Sequence, residues 1–136
     1  MAKVRDFMTT DVVTVSPQAE LAEAARLMRD ADVGVLPVVE GGSIRGVITD
    51  RDIVVRGLAE GGSGARVADV MRDGLITISP DDDEKDAERL MSENDVRRLP
   101  VLENGQLVGM VSVGDLAVRT NDKRAGKVME KTGPEE

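Results

Sequence analysis

The sequence predicts a mixed α/β (α+β) protein built from one β-α-β-β-α unit written twice, the two copies packing sheet to sheet about a pseudo-twofold axis. Three observations predict it. Sliding the sequence against itself aligns Val4–Val54 with Val67–Ala117 without a gap, and 19 of the 51 pairs are identical, where chance gives about three at residue frequencies of roughly 5 to 8%. Each copy alternates short β-branched runs with a helical apolar pattern. A unit of about 50 residues buries too little surface to stand comfortably alone, whereas two together do.

Each copy carries ordinary punctuation. Val12, Val13 and Val15 form a short strand, and Ser16 and Pro17 offer an N-cap and a first-turn proline for a helix. Leu21, Ala24, Ala25 and Met28 follow at i, i+3, i+4 and i+7, which is one buried helical face. Runs 35–39 and 44–48 are strands joined through Gly41 and Gly42 as a hairpin, and a helix begins after Thr49. The second copy repeats the order with strands at 76–78, 99–102 and 107–111 and a helix at 87–91. The organisation read from this is a first repeat at 1–58, a glycine-rich linker at 59–66, a second repeat at 67–120 and a polar tail at 121–136. A short helix is expected over 65–71, and the tail is expected to fray or form a short helix. The acidic run Asp81 to Glu84, in which Glu84 replaces Leu21, reads as a solvated first turn favoured by the helix dipole.

Composition narrows the chemistry. With no His and no Cys, Ser-His and Cys-His nucleophilic centres, His or Cys zinc sites and disulfides are excluded. The net charge of -8 repels phosphate backbones and anionic lipid, and Phe7, the sole aromatic residue, makes no base-stacking platform. Nucleic acid is therefore a disfavoured partner. No apolar window approaches the length of a membrane span, and no secretory-type apolar core follows the start, so a soluble cytoplasmic protein is expected. The carboxylates show no calcium-loop spacing, so no dedicated metal site is expected and magnesium enters only with ATP. Met8, Met28, Met71, Met91 and Met110 read as packing residues.

The candidate chemistry lies in GVITDRD (46–52) and GMVSVGD (109–115), each a strand running into a helix through Gly-x-x-Thr/Ser-x-x-Asp. Thr49 with Asp52, and Ser112 with Asp115, have the spacing of a capping box that merely starts a helix. The same geometry suits a ligand: the free N–H groups and positive dipole end attract a phosphate, the hydroxyl helps hold it, and the carboxylate accepts bonds from the vicinal hydroxyls of a ribose. Gly46 and Gly109 either let a ligand approach the strand closely or relieve a bend.

The duplication, the strands DVGVLPVVE and DVRRLPVLE, and the two Gly-x-x-Thr/Ser-x-x-Asp segments together resemble the tandem CBS-domain pair, or Bateman module, over residues 4–118, and in particular its small stand-alone bacterial and archaeal forms. The resemblance implies a non-enzymatic regulatory module that binds an adenosine-containing ligand in clefts between the repeats and senses energy or metabolite status. It implies that Asp52 and Asp115 hold ribose hydroxyls, with Thr49 and Ser112 near ribose and phosphate. It places Thr10, Val12 and Val33 opposite Ser112 and Asp115, and Asp73, Leu75 and Val96 opposite Thr49 and Asp52. Arg98, with Arg97 beside it, stands where the family often has a phosphate-binding cation, whereas the first copy has Gly34 and Val35 there; Arg51 is the cation its own motif offers. Arg97 and Arg98 equally fit a charged strand edge that discourages aggregation. The ligand stays open among AMP, ADP, ATP, S-adenosylmethionine and NAD, with no catalytic cofactor. A homodimer and a regulated protein partner of unknown identity are also implied, and a ligand-free dimerisation module is the alternative.

Overall fold

The computed structural model describes residues 2–61 and 64–117; the tail at 121–136 and part of the expected linker lie outside the described residues. The elements are a 3-10 turn at Val4–Asp6, helix α1 (Leu21–Ala31), strands β1 (Val35–Glu40) and β2 (Ser43–Thr49), and a π-helical segment at Asp52–Gly57 continued by a 3-10 turn at Leu58–Glu60. Then come the short helix α2 (Val67–Val70), α3 (Glu84–Asn94), β3 (Arg98–Glu103) and β4 (Gln106–Ser112). Residues 113–117 are helical again.

The hairpins arise where the sequence places them. β1 pairs antiparallel with β2 from Val35 opposite Thr49 to Glu40 opposite Ser43, with a register shift after Val38. β3 pairs with β4 from Arg98 opposite Ser112 to Glu103 opposite Gln106, with the shift after Val101. Gly41 and Gly42 have φ of 62° and 85°, and Asn104 and Gly105 have 54° and 79°, the left-handed pair that two-residue hairpin turns require.

The helices depart from expectation at their starts. α1 begins at Leu21, with Glu20 as N-cap, not at Ser16. The Ser16 hydroxyl instead accepts from the Gln18 N–H at 3.1 Å, and the Pro17 and Ala19 carbonyls accept from Ala68 and Val67 of α2 at 2.9 and 2.8 Å, so this stretch is held as a turn. Of the predicted face, Leu21, Ala24 and Met28 are buried and Ala25 is exposed. The leading strand shrinks to one parallel bridge per copy, Val15 with Val38 and Ile78 with Val101. The acidic run is more differentiated than a solvated turn. Asp81 pairs with Arg5 at 2.9 Å, a hydrogen bond and charge that hold its carboxyl below the usual carboxylate range. Asp82 accepts from the Ser79 N–H at 3.0 Å, and Asp83 caps α3 in a reciprocal box with Asp86.

Packing divides the chain differently from the duplication. Among the described residues, one compact unit comprises 2–12 and 76–117; the other comprises 13–61 and 64–75. Val67 and Val70, which begin the second sequence copy, lie in the core with Leu21, Ala24, Leu36, Val38, Ile48 and Ile53. Val4, which begins the first copy, lies in the core with Ala87, Met91, Leu99, Val101 and Val111. The repeats are thus complete as sequence and exchanged as cores: the opening turn of each copy is buried against the other copy's hairpin.

This exchange brings backbone against the two motif glycines. Arg72 and Val47 exchange backbone hydrogen bonds at 2.9 Å each, and Thr9 and Met110 do so at 2.8 and 2.9 Å. A Cβ on Gly46 would collide with the Arg72 carbonyl, and one on Gly109 would lie 2.8 Å from the Thr9 carbonyl oxygen and the Met8 sulfur. What approaches these glycines closely is the chain's own backbone, not the ligand that the sequence allowed for. Gly46→Ala and Gly109→Ala are each expected to lower stability by about 1 to 3 kcal/mol through overpacking, read as a lower urea midpoint at unchanged slope.

Candidate ligand site

Each motif is a strand end whose last residue turns the chain into a helix. In the first, the Thr49 N–H donates to Asp52 Oδ2 and the Asp52 N–H donates to Thr49 Oγ1, both at 3.0 Å. In the second, the Ser112 N–H donates to Asp115 Oδ2 at 2.8 Å and the Asp115 N–H to the Ser112 hydroxyl oxygen at 3.1 Å. Both motifs are therefore reciprocal capping boxes. One oxygen of each carboxylate is spent on starting its helix, and the hydroxyls are oriented by the same bonds.

Beyond the caps the two carboxylates differ. Asp52 is 1% exposed; its Oδ1 accepts from Arg72 Nε at 3.0 Å, with Arg56 Nη1 at 4.0 Å. Asp115 is half-buried, and no ion pair to it occurs among the described residues. Sequence reasoning missed Arg72. It lies 20 residues from Asp52, and its signal was a departure within the duplication, since position 72 aligns with Thr9.

The remaining candidates fall into the same two units. Asp73, exposed, and Leu75, half-buried, follow the Arg72 bridge in the unit of Thr49 and Asp52. Thr10, exposed, and Val12, half-buried, follow the Thr9 bridge in the unit of Ser112 and Asp115. Val33 is 38% exposed and belongs to the Asp52 unit, and the half-buried Val96 belongs to the Asp115 unit. Arg51 is exposed, and its N–H donates to Asp50 Oδ1 at 2.8 Å. Arg98 stands opposite Ser112 in the β3–β4 register, the place held by Val35 opposite Thr49. Directly paired residues project to the same face, so the second motif has a guanidinium-bearing neighbour where the first has an apolar one. The Arg97 carbonyl accepts from the Val113 N–H at 3.0 Å.

A duplicated, hairpin-centred unit with an acidic capping box at the end of each second strand defines a tandem-repeat module of mixed helix and antiparallel sheet. The chain belongs to the CBS-domain family: the model of that family, described as CBS domain, matches residues 4–58 and 67–119. It is 44% identical over 131 residues to the CBS domain-containing protein YhcV of Bacillus subtilis, covering 95% of this chain and 94% of that protein. Hypoxic response protein 1 of Mycobacterium tuberculosis is 35% identical over 120 residues, covering 86% of this chain and 84% of that one; its crystal structure, with two coordinated zinc ions, has a TM-score of 0.79. CBSX2, solved in complex with AMP, is 27% identical with a TM-score of 0.81, covering 91% of this chain and 99% of that one; CBSX2 is an Arabidopsis thaliana protein. This chain has no His or Cys, and among the described residues no group of three or more acidic side chains is placed to hold a metal ion. Among the same residues no helix is long and apolar enough to cross a membrane.

The environments of the two aspartates set their expected contributions. Asp52→Asn replaces a charge-assisted bond at a buried site and is expected to lower stability by about 1 to 3 kcal/mol. Asp115→Asn keeps an acceptor for the Ser112 N–H and is expected to cost less than about 1 kcal/mol. Urea unfolding of both variants without ligand measures the difference.

Proposed function

We propose that the chain is a non-catalytic regulatory module that binds an adenosine-containing ligand and reports its concentration to a partner protein. The observation that carries this reading is the Ser112–Asp115 turn. It presents a half-buried carboxylate beside a strand whose paired neighbour is Arg98, within a family in which CBSX2 binds AMP. Asp115 would accept from the ribose hydroxyls, and Ser112 would lie near ribose and phosphate. Arg98, with Arg97 next to it, would offset the repulsion that a net charge of -8 exerts on a phosphate. Ligand binding then biases the module toward one arrangement by the difference in affinity between its states.

A second reading, a ligand-free homodimerisation module, draws on the apolar face left exposed after β2, where Val54, Val55 and Leu58 are 55, 47 and 64% exposed. A thermal-shift panel of AMP, ADP, ATP, S-adenosylmethionine and NAD separates the two. Ligand at about 100 times its Kd adds roughly 2.7 kcal/mol of stability, and each kcal/mol raises Tm by about 2 to 5 degrees in a chain of this size. At least one compound is expected to give that shift in the wild type and none in Asp115→Ala. No shift with any compound, with sedimentation showing a dimer that Leu58→Glu breaks, would leave the second reading.

A further inference from the structure

The two motifs make the same reciprocal capping bonds, yet among the described residues it is the first whose carboxylate is also closed off by an arginine of the chain itself. Resting on the ligand reading above, we propose that Arg72 is a built-in latch on the first motif, so that each chain binds one nucleoside ligand, at Asp115, and not two.

Position 72 and position 9 are equivalent in the duplication, and each forms the same two-bond backbone bridge to the middle of its unit's second strand, at Val47 and Met110. The frame is shared and the side chain differs. From the first frame a guanidinium reaches the carboxylate: Arg72 Nε lies 3.0 Å from Asp52 Oδ1. The other oxygen, Oδ2, takes the Thr49 N–H. A vicinal diol needs acceptor oxygen that it can reach, and Asp52, with both oxygens engaged and 1% exposure, offers none. A ligand would have to break a charge-assisted bond and leave a guanidinium without its partner. From the second frame Thr9 supplies no cation. Asp115 there uses Oδ2 for its cap and is half-buried rather than enclosed.

The cations near the strand ends reinforce the difference. Arg98 stands opposite Ser112, where the first hairpin has Val35 opposite Thr49. The second motif therefore combines a half-buried carboxylate with Arg98 at the paired strand position, while in the first the buried carboxylate is held by Arg72.

Isothermal titration of the full-length chain with AMP reads the proposal directly. The wild type is expected to bind one AMP per chain. Arg72→Thr, which gives the first frame the residue of the second, is expected to bind a second AMP at least tenfold more weakly, since Val35 replaces Arg98 there. Thr9→Arg, at an exposed position and checked for an unchanged unfolding transition without ligand, is expected to carry the latch to the second motif and weaken binding at least tenfold. Two AMP per wild-type chain, an Arg72→Thr variant that stays at one, or a Thr9→Arg variant that binds like wild type would each overturn the latch while leaving a nucleotide-binding module in place. Absence of binding by both wild type and Arg72→Thr, with AMP and with the other adenosine compounds, would remove the ligand reading and the latch with it.

Discussion

In each half of this protein an extended stretch of backbone passes so close to the middle of a hairpin strand that no side chain fits at the crossing, and glycine occupies both crossings. That steric condition at Gly46 and Gly109 fixes much else. It lets the Val47–Arg72 and Thr9–Met110 bridges form, and those bridges hold the opening turn of each sequence copy against the hairpin of the other copy. In the first unit the bridge also brings the Arg72 guanidinium to the Asp52 carboxylate at 3.0 Å. A packing requirement and the charge environment of the Asp52 cap therefore share one set of residues.

The capping and ligand-binding readings of the Thr/Ser-x-x-Asp motif are compatible at the level of atoms. A carboxylate has two oxygens, and the helix start takes Oδ2 in both copies. The two copies differ in what becomes of Oδ1. In the first copy it goes to Arg72; in the second, Asp115 is half-buried and no ion pair to it occurs among the described residues. An anionic ligand approaching a chain that carries an excess of negative charge is repelled at long range and needs local guanidinium groups at close range. Arg97 and Arg98 occur in the copy whose carboxylate is not latched.

Much of this was legible in the sequence, for identifiable reasons. The duplication exposed the unit, and paired glycines or Asn-Gly between β-branched runs marked both hairpins, because turn geometry is local. The spacing of Thr49 to Asp52 and of Ser112 to Asp115 announced the caps for the same reason. Non-local choices were hidden. Ser16 and Pro17 look like a helix start, and only the hydrogen bonds that α2 makes to the Pro17 and Ala19 carbonyls keep that stretch a turn and delay the helix to Leu21. Ala25 has helical spacing with Leu21 and Met28, yet the buried face is narrower than four positions. Arg72 was invisible to any local pattern, although comparing the two copies position by position would have shown an arginine facing a threonine.

The exchange of opening turns bears on how such a chain could arise. A polypeptide holding a single copy of the unit would leave the pocket filled by Val4 or Val67 vacant unless a second molecule inserted its own leading segment. Such an ancestor completes its core only as a reciprocal, domain-swapped pair, and joining two genes end to end turns that pairing into an intramolecular one. Once fused, the halves are free to diverge, as positions 9 and 72 and positions 35 and 98 have done here.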